Sequence, residues 1–293
     1  MGMADIVPGV SGGTIALVTG IYDELVSSIA KINKTAVDLL IQKRFKDLLD
    51  HINISFLIPL GVGILTAIIL MSRIMHFLMN EHAIYTWSFF FGLILASVVY
   101  VAKHIPNLKK PINLVALGVG SITGYLAVSL IPVNTPETHL MLFLSGAIAI
   151  CAMILPGISG SFILLILGKY MSITSALKNP FVGDNITAII VFSSGCLLGL
   201  LSFSKMLNFL LKNYYGLTMS LLTGFMIGSL KKIWPWKSAI NEIIIRGKRH
   251  VLEEANYLPD HLNSEVILAL IFAGLGLALI FFVERLGQTV ESK

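Results

Sequence analysis

The chain has 293 residues, 56% of them hydrophobic and 13% charged, with a mean hydropathy of +0.85. A soluble domain carries about 25% charged residues, so this composition excludes a soluble globular protein and predicts an all-α integral membrane protein, a polytopic helical bundle. The net charge of +5 arises in short segments between apolar runs, where positive-inside bias and lipid headgroups account for it. No basic stripe interleaves with aromatics as nucleic-acid grooves require, so the expected partners are membrane lipids and not nucleic acid.

In chain order, Ala4–Tyr22 is apolar but interrupted by Pro8-Gly9-Val10-Ser11-Gly12-Gly13. Pro and Gly end helical segments, so this stretch reads as two half-helices or a re-entrant hairpin. Residues 31–53 are charged, with Val37, Ile41, Phe45, Leu48 and Ile52 at helical spacing; they read as one amphipathic helix, interfacial or solvated. Runs long enough to span or nearly span a bilayer follow at 54–72, 84–102 and 112–132. A second series covers 140–155, 161–177, 186–203, 216–230 and 264–284, its first two members separated by Pro156-Gly157-Ile158-Ser159-Gly160-Ser161. Lys231–Arg249 reads as a charged loop. Cys151 and Cys196 lie in apolar runs and act as small hydrophobes; no disulfide, metal site or cofactor is expected. No charged n-region of a cleavable signal peptide opens the chain.

The two interruptions define a repeat. Ala4–Tyr22 and Ala152–Tyr170 match at ten of nineteen positions. Further along, Gly63 aligns with Gly195, Ser72 with Ser204, Arg73 with Lys205, Thr86 with Thr218, Ser88 with Ser220, Gly92 with Gly224 and Ser97 with Ser229. The register shifts once, which places an insertion in 31–53. Two homologous transmembrane repeats are therefore expected, 1–135 and 136–293. A helix at His139–Met153 precedes the second motif, whereas the first has no counterpart, which predicts a translational start upstream of Met1. Lys/Arg-rich segments at 31–46 and 103–110 favour the cytoplasm. If each broken segment returns to its own side, the second repeat is inverted and Lys231–Arg249 lies outside.

A helix breaker followed by small hydrogen-bonding residues is tolerated at membrane depth only where it is buried in protein or lines a cavity. Written twice, it marks a repeat-built transporter. After Pro8-Gly9, the first N–H groups of the next half-helix lack intrahelical partners and attract anions. Ser11 and Thr14 add hydroxyls, while Gly12 and Gly13 admit a ligand to the backbone. After Pro156-Gly157, the residues Ser159, Gly160 and Ser161 repeat the pattern, with Phe162 in place of Thr14. The alternative is that these small residues serve tight helix packing. Glycine pairs 120/124, 195/199 and 224/228 read as helix contacts for that reason. Arg73 and Lys205 suit an anionic headgroup or snorkel to the interface. Asp5 is a candidate for proton or cation coupling or for capping, and Glu24 is a candidate coupling residue or an interfacial charge.

At these residues the chain resembles a known family. GMADIVPGVSGGTIALVTGIY and ILPGISGSFILLILGKY are similar to the bacterial polyprenyl-phosphate transporter family known as PopT, and the resemblance covers essentially the whole chain. It implies movement of undecaprenyl phosphate, the carrier lipid of cell-wall precursors, from the outer to the cytoplasmic leaflet of the bacterial cytoplasmic membrane. The matching positions are Asp5, Pro8, Gly9, Ser11, Gly12, Gly13 and Thr14, then Pro156, Gly157, Ser159, Gly160 and Ser161. Family members carry a further helical stretch before the first motif, from which this chain departs. A transporter of a small inorganic or carboxylate anion would use the same half-helix chemistry. Gly9-Val10-Ser11-Gly12 also matches the G-x-S-G of intramembrane serine proteases, but a serine nucleophile needs a base within reach and none of the seven histidines falls in mid-span.

Overall fold

The computed structural model describes residues 1–7, 10–130, 135–245 and 248–291. Three short helices open the chain: α1 (Gly2–Ile6), α2 (Gly12–Val18) and α3 (Tyr22–Ala30). Then come α4 (Lys34–Ile41) and α5 (Phe45–His51). Three long helices follow, α6 (Ile54–Glu81), α7 (Ala83–His104) and α8 (Pro111–Ser129). The rest comprises α9 (His139–Ile154), α10 (Gly160–Ile166), α11 (Tyr170–Lys178), α12 (Asn185–Asn213), α13 (Tyr215–Ser229), strands β1 (Lys237–Ile245) and β2 (Lys248–Asn256), and α14 (Ser264–Glu291).

Among the described residues five helices are long and apolar enough to cross a membrane: α6, α7, α8, α12 and the Ser264–Phe282 part of α14. A sixth crossing results if α10 and α11, bent by 113° at their junction, count as one. The helices α9 and α13, of 16 and 15 residues, rise about 1.5 Å per residue and fall short of a hydrocarbon core of about 30 Å. The polytopic helical expectation therefore stands.

Two expectations change. The charged insertion is not one helix but two, because the chain turns at Lys43, whose φ of 57° lies in the left-handed region. Asn33 starts the first piece, its side chain accepting from Ala36 N at 3.2 Å. Val37, Ile41 and Phe45 remain exposed. The charged loop after α13 is an antiparallel hairpin, with Lys237 opposite Asn256 and Ile245 opposite Lys248. Its β-branched run Ile243-Ile244-Ile245 favours strand over loop, so one short hairpin accompanies an otherwise helical frame.

Bounds recur along the chain. Both α2 and α10 have seven residues and start at the Ser-Gly step, and both α3 and α11 have nine and start at a tyrosine. The residues that end α6 and α12, His82 and Tyr214, share φ near −134° and ψ near 42–45°. Two of the most extensive helix pairs cross between the early and late parts of the chain, α7 on α14 and α8 on α13, while α9 packs on α12 within the late part. At the α8–α13 crossing a Cβ added to Gly120 would overlap Leu221 O, and one on Gly224 would overlap Leu117 O. The backbones touch, as small-residue crossings allow. The largest buried cluster draws Val7, Val10, Ala16 and Tyr22 from the first broken segment against Phe90 and Ile94 of α7 and Leu222 and Met226 of α13.

Candidate functional site

The structure brings the two motifs into contact, in unlike roles. Pro8 and Gly9 lie outside the described residues. Ser11, in extended conformation, is the N-cap of α2, and its oxygen accepts the Gly13 N–H at 3.1 Å. The Gly12 N–H donates to Asp5 Oδ1 at 2.7 Å. A carboxylate at a helix N-terminus is where the dipole favours it. Thus the donors expected to hold an anion at α2 already serve Ser11 and Asp5.

The remaining polar atoms of this segment face the second break. The last carbonyls of α9 lack intrahelical donors. Ser11 Oγ lies 3.3 Å from both Met153 O and Leu155 O, and Tyr22 donates its hydroxyl to Ile154 O at 3.1 Å. Thr14 Oγ1 accepts the Gly157 N–H at 3.0 Å. Ser11, Thr14 and Gly157 are buried. An unsatisfied backbone group in hydrocarbon costs several kcal/mol, so hydroxyls of the first motif stabilise the broken backbone of the second. The Ser11 hydroxyl meets carbonyls rather than an imidazole, unlike an activated nucleophile.

The second motif is buried over Pro156–Ser159 but its helix has no side-chain cap. Gly157 has φ of 87°, which glycine adopts without strain, and a Cβ there would come within 2.5 Å of Ser229 Oγ. Ser159 makes no side-chain cap to α10; its hydroxyl pairs with Ser161 Oγ at 2.8 Å. The position equivalent to Asp5 is Met153, which carries no charge. Among the described residues no side chain accepts from the leading amides of α10, and Ser161 is exposed. Phe162 replaces the buried Thr14, and Lys232 Nζ sits 4.9 Å from its ring centroid.

Lys232 belongs to a cluster that sequence reasoning treated only as a topological charge. Its Nζ lies 2.9 Å from Glu254 Oε2, and Lys237 Nζ lies 3.7 Å from the same oxygen. Lys237 also donates to Lys232 O at 2.5 Å and stands 3.6 Å from the Trp87 ring centroid. Lys231 donates to Ser129 Oγ at 2.7 Å, over the Tyr125 ring. Burial lowers the Lys237 pKa to about 8, against the opposing pull of Glu254. Burial alone would raise the Glu254 carboxyl, but Lys237 and Lys232 hold it below its ordinary value. A signal was present, three lysines and two tryptophans within Lys231–Lys237; their partner Glu254 lies across the hairpin.

The other named charges stand apart. Arg73 on α6 and Lys205 on α12 are exposed, and among the described residues neither bonds to a motif. Glu24 Oε1 accepts from Asn53 Nδ2 at 2.8 Å, tying α3 to the start of α6. Lys169, fully buried at the α10–α11 bend, reaches Thr135 O and Glu137 Oε1 at 3.0 Å each. An apolar cavity of about 500 Å³ opens among Met3, Met71, Met75, Leu78, Phe89 and Phe90.

Several apolar helices define a multi-pass membrane protein, in whose interior Ser11 and Thr14 of the first motif contact the backbone of the second. The chain belongs to the undecaprenyl phosphate translocase-like family, whose profile matches residues 1–250. It is 41% identical over 295 residues to the polyprenyl-phosphate transporter of Vibrio cholerae, covering 98% of this chain and 94% of that protein. It is 34% identical over 256 residues to the polyprenyl-phosphate transporter of Staphylococcus aureus, covering 80% and 83% respectively. No solved structure matches the chain.

Proposed function

We propose that this chain translocates undecaprenyl phosphate, or a close polyprenyl phosphate, across the bacterial cytoplasmic membrane, returning the carrier lipid for envelope synthesis. Membership of the family over most of the chain carries the substrate class. The headgroup phosphate is held at the second motif by Ser159, Gly160 and Ser161. The observation that favours this motif over the first is the Asp5 carboxylate on Gly12 N–H, which the second motif lacks. Ser11, Gly12, Gly13 and Thr14 then act as the support that holds the second break. Arg73 and Lys205, exposed on lipid-facing helices, gather anionic headgroups.

The recurrence of α2 in α10 and of α3 in α11 supports a duplication into 1–135 and 136–293; in this reading each broken segment is re-entrant and the second repeat is inverted. Moving an anion inward against a negative-inside potential costs about 2.3 kcal/mol per charge per 100 mV, so the reading includes a coupling proton or cation. Asp5 is the first carrier to test, since neutralising it would remove its charge–dipole hold on the α2 N-terminus; Glu24 is the second. The chain acts as a carrier and not as an enzyme.

The test uses vesicles holding short-chain polyprenyl phosphate in one leaflet. Transfer by the wild type, slowed at least tenfold by Ser159→Ala with Ser161→Ala at unchanged thermal stability, is the expected outcome. Lipid that stays in its leaflet while inorganic phosphate crosses would overturn it in favour of a small-anion transporter.

A further inference from the structure

We propose that Lys232 and Lys237 form a second seat for a phosphate monoester beside the Ser159–Ser161 turn, and that Glu254 is its built-in occupant, displaced when phosphate enters. The inference deepens the polyprenyl phosphate reading and rests on it for the identity of the lipid, though the seat itself can be tested with free phosphate.

The first ground is charge. Two ammonium groups converge on one carboxylate oxygen, Glu254 Oε2, at 2.9 and 3.7 Å. Their side chains are largely withdrawn from solvent, 20% exposed for Lys232 and 7% for Lys237. Among the described side chains one carboxylate faces the two cations. The faces of Phe162 and Trp87 take up part of the remaining positive charge through cation–π contact. A phosphate monoester carries about −1.5 to −2 at pH 7 and three strong acceptor oxygens, so it matches the pair where a carboxylate does not. The seat therefore selects phosphate over carboxylate on charge alone.

The second ground is position. Lys232 stands over Phe162, the residue following Ser161, so a headgroup leaving the motif meets this ammonium next. The third ground is how Glu254 is carried. The hairpin base is fixed independently of it: Asn256 Nδ2 donates to Lys231 O at 2.8 Å, Tyr257 N to Trp236 O at 3.1 Å, and Trp234 Nε1 to Tyr257 O at 2.9 Å. Glu254 can swing away by side-chain rotation while these bonds hold. Its side chain is 26% exposed, so the carboxylate has an outlet to water.

All three tryptophans of the chain, Trp87, Trp234 and Trp236, lie at this cluster, so intrinsic fluorescence reports on it. The experiment titrates the full chain in nanodiscs with short-chain polyprenyl phosphate, inorganic phosphate, acetate and uncharged polyprenol. A fluorescence change with a phosphate ligand, absent with acetate and polyprenol, is expected. Glu254→Gln should tighten it about tenfold, the effect of removing a competing charge-assisted hydrogen bond. Glu254→Asp, with shorter reach, should tighten it in the same direction and serves if the Gln variant misfolds. Lys232→Gln with Lys237→Gln should abolish the response. A response to the lipid alone identifies a headgroup seat; a response to both, or to inorganic phosphate alone, identifies a general phosphate seat. Unchanged or weaker phosphate binding in folded Glu254 variants overturns the proposal, even if Ser159 and Ser161 govern transfer. Loss of transfer in Ser159/Ser161 variants with the tryptophan response intact supports both.

Discussion

Replacing Thr14 by valine isolates the bond that joins the two motifs. Valine keeps the shape and volume of threonine and removes only the oxygen that accepts the Gly157 N–H at 3.0 Å. Thr14 is 0% exposed, so no water replaces it without a cavity being opened. An unsatisfied buried donor costs about 1–3 kcal/mol, whereas polar contacts between membrane helices average about 0.6 and reach about 1.7 kcal/mol. The lower figure assumes that the freed group finds another partner. Gly157 cannot easily do so, since it is held in the left-handed region with Ser229 packed against it. A loss of about 1.5 kcal/mol is therefore expected, roughly a tenfold fall in the folding constant. Reversible unfolding in mixed micelles of increasing SDS fraction measures it. Hydrogen exchange of the peptide spanning Gly157 should quicken by a comparable factor. A valine variant within about 0.3 kcal/mol of wild type, with unchanged exchange at Gly157, would refute the claim that the first motif holds the second.

The asymmetry between the motifs predicts that Met153→Asp, which writes Asp5 into the second motif, blocks lipid transfer in vesicles without unfolding the chain. Asp5→Asn keeps an acceptor for Gly12 but removes the charge–dipole attraction, with an expected loss of about 0.3–1 kcal/mol in the same micelle assay. Gly224→Val drives a side chain into Leu117 O at the α8–α13 crossing and should cost about 3 kcal/mol, read as a lower melting temperature. Lys237 releases its proton near pH 8 in the folded chain against an ordinary 10.5. Between those values the unfolded chain binds more protons, so stability should rise with pH, by about 3 kcal/mol at most, and Lys237→Met should flatten the slope. With Cys151 and Cys196 replaced by alanine, Ser238→Cys should react with an impermeant thiol reagent from outside the cell if the second repeat is inverted; labelling only after permeabilisation would reverse that topology.

Much of the helical frame was legible because lipid demands long apolar runs and because the motif repeats in register. The ends of α2, α3, α10 and α11 follow the Ser-Gly and Gly-x-Tyr punctuation closely. What the residues did not disclose depends on partners distant in sequence. Asp5 reads equally as a coupling residue or a cap until Gly12 is seen at 2.7 Å. The break at Lys43 leaves no local mark, since a lysine seldom adopts positive φ. The hairpin was obscured because its alternation is diluted by charges on both strands. The lysine cluster needs Glu254 and Trp87, about twenty and 150 residues away from Lys237, to become a site rather than a charge run.

The pairing of α7 with α14 and of α8 with α13 also sets an order of assembly. When the ribosome has finished α8, neither it nor α7 has met its main partner. About a hundred residues must still be made before α13 is complete, an interval of roughly 5–20 s at usual elongation rates. During that time the glycine-bearing faces of α7 and α8 rest against lipid or the insertion machinery, where their small side chains fill space poorly. The newly inserted first half is thus a waiting intermediate. A chain truncated after residue 130 would be inserted without α13 and α14, the main packing partners of α8 and α7.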